Sequence, residues 1–204
     1  MEVRQALADL AEVRNRLASV QRFEGYSGWA ATASGLVALA AGIVQALIVP
    51  QPRSVAQHGL YLAIWMSCLA AGLAVNYGAI AAWHAHHRRP QARSQIRSVG
   101  MSILPGIAAG GVLTVALAER GLFDLLPGMW CATYALGLFA SRAMIPRDVV
   151  YVAVGFGFIA AVLLLVPGIS PLAWWVMPLV FGTGQIAIGI IVAGEPIVER
   201  TLTR

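Results

Sequence analysis

The chain of 204 residues contains no lysine, only 11% charged residues and two cysteines. So little charge against 59% hydrophobic residues and a mean hydropathy of +0.75 leaves no polar stretch large enough for a separate soluble domain. Carboxylates are missing from the middle of every long apolar run. Ion-coupled carriers usually need an intramembrane acid or a broken helix that holds the ion, so this lack counts against coupled transport. Signatures of soluble catalysis are missing too: Ser141 and Ser170 lack a GxSxG setting, there is no HExxH, and the glycine-rich runs lie inside apolar stretches instead of at a strand-to-helix turn.

Cys68 and Cys131 both fall within hydrophobic stretches. The expected threading sets them roughly 5–10 Å apart in depth, which makes a disulfide awkward and predicts two inert buried thiols. All fourteen basic residues are arginine, a bias that fits a GC-rich bacterial source. They lie in short segments beside apolar runs, where anionic lipid is the nearer partner, and no nucleic-acid-reading module accompanies them.

What is present is a series of apolar runs of membrane-spanning length. The expected fold class is all-α: a polytopic bundle of six transmembrane helices in three hairpins, preceded by a cytoplasmic amphipathic helix. The spans are expected at 29–49, 60–83, 99–117, 128–145, 149–166 and 172–193. The domain plan is an amphipathic helix and entry turn at 1–28, the membrane domain at 29–193 and a cytoplasmic tail at 194–204. Pro105 is expected to kink the third span unless neighbours re-satisfy the carbonyl it frees.

Residues 2–22 place Val3, Ala6, Leu10, Val13, Leu17 and Val20 on one helical stripe, with Glu12 and Arg16 spaced i,i+4 opposite. An interfacial helix on anionic lipid is the preferred reading, and a short coiled coil or protein-binding helix, through which the chain could form a homo-oligomer, is the alternative. Glu2, Asp9 and Glu12 among its arginines are unlike a signal peptide, so the segment is expected to stay attached.

Orientation follows from arginine. With the N-terminus inside, Arg4, Arg14, Arg16, Arg22, Arg88, Arg89, Arg93, Arg97, Arg142, Arg147, Arg200 and Arg204 are cytoplasmic, and only Arg53 and Arg120 lie outside. Both termini are then cytoplasmic in a bacterial inner membrane, and Arg88, Arg89, Arg93 and Arg97 form the anionic-lipid surface. Tyr26, Trp29, Trp83 and Tyr151 would mark the inner interface and Tyr61, Trp130, Trp174 and Trp175 the outer one.

Two stripes of small residues four apart, Ala30, Ser34, Ala38 and Gly42 on the first span and Ser102, Gly106, Gly110 and Thr114 on the third, predict close helix packing, a pore lining being the rival reading. Gln45, Asn76 and Gln185 are the amides at membrane depth, expected to serve as interhelical hydrogen bonds before substrate ligands. His84, His86 and His87 form the one cluster with metal-ligand chemistry. No acid or thiol is near them in sequence and Arg88 and Arg89 flank them, so no metal is expected. Haem fits no better, because His58 and His84 flank one helix some 39 Å apart. No cofactor is expected.

RFEGYSGWAATASGLVALAAG near the start and FGTGQIAIGIIVA near the end resemble uncharacterised bacterial six-span integral membrane proteins with an N-terminal amphipathic helix. The resemblance covers about the first 45 and last 25 residues. It implies the same span count and brings no functional residues. The leading functional expectation is a non-enzymatic membrane protein, accessory or sensory, with a small transporter or channel subunit acting as an oligomer as the alternative and an intramembrane enzyme as a third.

Overall fold

A computed structural model describes residues 27–86, 90–142 and 145–194, with side chains except at 84, 86 and 90–104. The described chain is all-helical. Six helices follow in order: α1 Gly28–Ile48, α2 Val55–His86, α3 Pro90–Glu119, α4 Leu126–Ala140, α5 Val149–Leu165 and α6 Thr183–Gly194, with a 3-10 turn Phe123–Leu125 before α4 and a π turn Pro178–Gly182 before α6.

Local chemistry sets the boundaries. Val49, before Pro50, and Val166, before Pro167, both leave the helical region, at φ −148°, ψ 68° and φ −90°, ψ 114°, because a proline ring crowds a helical residue in front of it. α3 ends instead on Gly121 at φ 71°, where Gly121 N–H bonds Ala118 C=O at 3.0 Å and Leu122 N–H bonds Leu117 C=O at 2.9 Å. That paired arrangement satisfies two of the carbonyls that a helix end leaves orphaned, and it needs the left-handed backbone glycine adopts cheaply. Pro105 lies within α3, which continues helical through it.

Successive helices alternate in direction. At one end the linker after α1 meets the linker after α5, Trp174 N–H bonding Pro50 C=O at 3.0 Å, and His58 of α2 stacks on Phe123 with ring centroids 4.3 Å apart. At the other end Ala31 of α1, Val149 of α5 and Ile188 of α6 share a buried cluster. The most extensive contacts are α4 with α5, α1 with α6, α1 with α2 and α3 with α4; α2 and α3 touch little.

Three helical segments, Gly28–Ile48, Val55–Trp83 and Phe123–Ala140, are long and apolar enough to cross a membrane; Pro105–Glu119, Val149–Leu165 and Pro178–Gly194 are apolar but shorter. Large apolar side chains face outward all round: Leu47 is 81% exposed, Phe158 70% and Leu165 79%. Hydrocarbon is the solvent that leaves such a surface without penalty, which associates the chain with a membrane.

Two expectations are corrected. A continuous sixth helix from Leu172 is not formed: 166–175 is turn and coil, and helix begins at Val176, passing through the π turn Pro178–Gly182 into regular α-helix from Thr183. Pro171 and Pro178 supply no N–H, and Trp174 gives its own N–H to Pro50 instead of to its own helix. The fourth helix ends at Ala140, short of Ile145. The segment 2–22, Arg88, Arg89 and the tail from 195 lie outside the described residues, as do the side chains of Arg93, Arg97, Ser102 and the histidine cluster.

Candidate functional site

Broken backbone among apolar side chains leaves carbonyls that need partners. Gln45 near the end of α1 provides one. Fully buried, it donates from Nε2 to Leu172 C=O at 2.8 Å and accepts the indole N–H of Trp65 at Oε1, also at 2.8 Å. One side chain thus ties α1, α2 and the irregular segment together. Farther out, Gln51 Nε2 donates to Ser170 Oγ at 3.1 Å.

From Gln45 a continuous ladder of side chains runs across the bundle. Trp65 lies beside Tyr61, centroids 6.4 Å apart; Tyr61 lies parallel to Trp130 of α4 at 6.1 Å; and Trp130 Nε1 donates to Thr114 Oγ1 of α3 at 2.8 Å. The Thr114 hydroxyl in turn donates a hydrogen bond to Gly110 C=O at 2.7 Å. The ladder joins four helices and the 166–177 segment. Its one unsatisfied member is the Tyr61 hydroxyl, on a residue with no exposed surface. This corrects the expected outer aromatic belt: Tyr61 is interior and Trp130 half-buried, while Trp174 and Trp175 are 44% and 47% exposed. Hydropathy gives an aromatic its depth but not its azimuth, and the fixed facing of α2 against α4 turns these two inward.

The other amides are also spent. Asn76 Nδ2 donates to Ser34 Oγ at 2.7 Å and to Gly72 C=O at 2.9 Å, while Ser34 Oγ bonds Ala30 C=O at 2.9 Å, pinning α2 to α1. Gln185 Nε2 donates to the Tyr134 hydroxyl at 2.7 Å. The Tyr134 ring packs with Phe156 and Phe181, centroids 4.7 and 5.4 Å away, an arrangement worth about 0.5–1.5 kcal/mol per pair beyond area. Gly184 makes room for it: a Cβ there would lie 2.5 Å from the Phe156 ring.

Of the first-span stripe, Ala30, Ser34, Ala38 and Gly42 are all buried. The tightest approach, however, follows a seven-residue spacing that the reading in fours passed over. Gly28, Gly35 and Gly42 of α1 meet Gly189, Gly182 and Pro178: a Cβ on Gly28 would stand 2.6 Å from Gly189 C=O, one on Gly35 2.7 Å from Gly182 C=O, and one on Gly42 would overlap the Pro178 ring. The recurrence of glycine at 28, 35 and 42 and at 182 and 189 was the available signal. On α3, Gly110 and Thr114 are buried, yet a Cβ on Gly110 would find its nearest atom, Thr133 Oγ1, at 3.5 Å, an ordinary contact.

Cys68 and Cys131 are both free thiols. Among the described residues no group of three or more His, Cys, Asp or Glu side chains is placed to hold a metal ion. Arg53, Arg120 and Arg142 lie at helix ends, where Arg120 and Arg142 each bond a backbone carbonyl of the last turn, of Ala116 and Phe139. The chain matches no protein-family model, no curated protein and no solved structure.

Proposed function

We propose that this chain is a six-span integral protein of a bacterial inner membrane with both termini in the cytoplasm, non-enzymatic, acting as an accessory or sensory component through its cytoplasmic elements. The helical segments too short to pass as spans by length run alongside those that do: α5 reaches from the level of Ala31, through its Val149, to that of Gly128, through its Leu164. At about 1.5 Å per residue, its 17 residues cover about 25 Å, near the hydrocarbon thickness once flanking turns are added. The arginine distribution then sets inside and outside. In this reading the segment 2–22 and Arg88, Arg89, Arg93 and Arg97 meet anionic lipid or a protein partner.

The observation that carries the accessory role is the fate of the membrane-depth amides. Gln45, Asn76 and Gln185 each hydrogen-bond within the protein, to neighbouring helices or to the irregular segment before the last helix, which is what structural polar groups do. A transport reading draws on a different observation, the π turn Pro178–Gly182 within the sixth helix, because such turns are frequent at functional sites.

On a background lacking Cys68 and Cys131, Arg53→Cys should react with an impermeant maleimide in intact cells and Gln91→Cys only after permeabilisation; the reverse pattern would overturn the topology. Purified protein in anionic vesicles should leave ion and dye retention unchanged. Protein-dependent flux that Gln45→Ala or Gln185→Ala alters would replace the accessory reading with transport.

A further inference from the structure

α3, like α2, has broad contact with a single neighbour. It packs broadly on α4, through Gly110 and Thr114, and its opposite face carries a shallow, open groove of about 440 Å³ lined by Gly111, Val112, Val115, Ala116 and Glu119 of this one helix. A Cβ on Gly111 would find nothing within 4 Å, and Val112 and Val115 are 70% and 59% exposed. Ile43 and Leu47 on α1 and Phe158 and Leu165 on α5 project from other outward faces instead, although open glycines also occur there, at Gly59 and Gly78 of α2 and Gly155 of α5. A depression floored by glycine is the shape that admits another helix backbone.

The rim of the groove names the occupant. Glu119 lines it and has no ion-pair partner among the described residues, and Arg120 folds back so that its Nη1 bonds Ala116 C=O, on the same groove wall. One acid and one guanidinium thus flank the same end of an apolar face, and such a face is complementary in charge to itself. We propose that it is the contact for a second copy of this chain. The inference rests on the membrane reading, because copies inserted the same way are related by a twofold axis along the membrane normal, and the same residues then meet at the same depth. Gly111 sits at the helix crossing, Val112 and Val115 close over it, and Glu119 of each copy pairs with Arg120 of its partner beyond the apolar contact.

The test is oxidative crosslinking in native membranes, on the background lacking Cys68 and Cys131. Val115→Cys should give a dimer and Phe158→Cys, on α5 and more exposed, should not. Gly111→Leu should abolish the crosslink while leaving the thermal melt of the detergent-solubilised protein unchanged, since the site is open in the single copy. Glu119→Arg or Arg120→Glu alone should lower the crosslinked fraction by up to about fivefold for each exposed ion pair lost, and the double reversal should restore it. Equal crosslinking at Val115 and Phe158, or crosslinking indifferent to Gly111→Leu and to the charge reversals, would overturn the proposal and leave lipid on that face. Failure of the underlying membrane reading has a separate mark, release of the chain from membranes by alkaline carbonate.

Discussion

Two glycine seams run through this bundle, and they do opposite things. Between α1 and the last helical stretch, Gly28, Gly35 and Gly189 bring backbone so near backbone that a single added carbon meets a carbonyl oxygen at 2.6–2.7 Å, and one on Gly182 would meet the Leu39 side chain at 2.6 Å. Along α3 and α4, Gly106 and Gly110 face Thr133 across 3.5–3.7 Å, where a methyl group would merely touch. The first seam is made of glycine because nothing else fits; the second tolerates more. Small residues four apart mark the possibility of close packing, and only the partner's shape decides whether the possibility is used.

The harshest way to break the contrast is Gly189→Leu. A Cβ there overlaps Thr32 Oγ1 and stands 2.7 Å from Gly28 C=O, and the rest of the leucine has no space to enter. The cost should reach or exceed the upper end of the about 1–3 kcal/mol typical of overpacking, seen as a large drop in melting temperature in mild detergent or a loss of folded yield. A melt like that of the parent would mean that α1 and α6 sit farther apart than described here.

Next in size is Gln45→Ala, at the end of the tight seam where Gly42 meets Pro178. It strips partners from Leu172 C=O and Trp65 N–H together, and unmade buried hydrogen bonds cost about 1–3 kcal/mol each. Leu172→Cys, buried in the parent, should then become reactive to maleimide in the Gln45→Ala background; unchanged protection would show that the segment holds without its amide.

The looser seam should respond less. Trp130→Phe keeps a ring beside Tyr61 but removes the bond to Thr114, and interhelical hydrogen bonds in membranes average about 0.6 kcal/mol, so a shift of a few degrees at most is expected. Smallest of all is Gly106→Ala, whose Cβ would lie 3.7 Å from the nearest atom, Thr133 C=O; gain in helix propensity should match or outweigh any crowding.

The sequence was legible where one variable decides. Apolar length alone marks α1 as Gly28–Ile48 and α5 as Val149–Leu165, each within a residue of expectation, and prolines at 50 and 167 stop them. The start of the last helix was misread because hydropathy counts Leu172, Trp174 and Val176 as span without asking where their backbone groups bond; that answer lies in Pro50 and Gln45, more than a hundred residues away. Gln45, Asn76 and Gln185 could be singled out from sequence as polar groups at depth, but not their partners. The inward turn of Tyr61 and Trp130 depends on helix rotation, which nearly uniform apolar sequence does not encode. The seven-residue glycine spacing is present in the sequence, but it overlaps a four-residue stripe of small residues, and only the partner helix distinguishes the two.

The central claim, that one glycine seam is obligatory and the other is not, is tested most directly by placing the same methyl group in each. Gly35→Ala and Gly110→Ala should be melted side by side in one mild detergent. The added carbon lies 2.7 Å from a backbone oxygen in the first and 3.5 Å from a side-chain oxygen in the second. Gly35→Ala should lower the melting temperature clearly, and Gly110→Ala should hold it or raise it slightly, since alanine is the better helix former. Equal shifts, or greater damage from Gly110→Ala, would contradict the account.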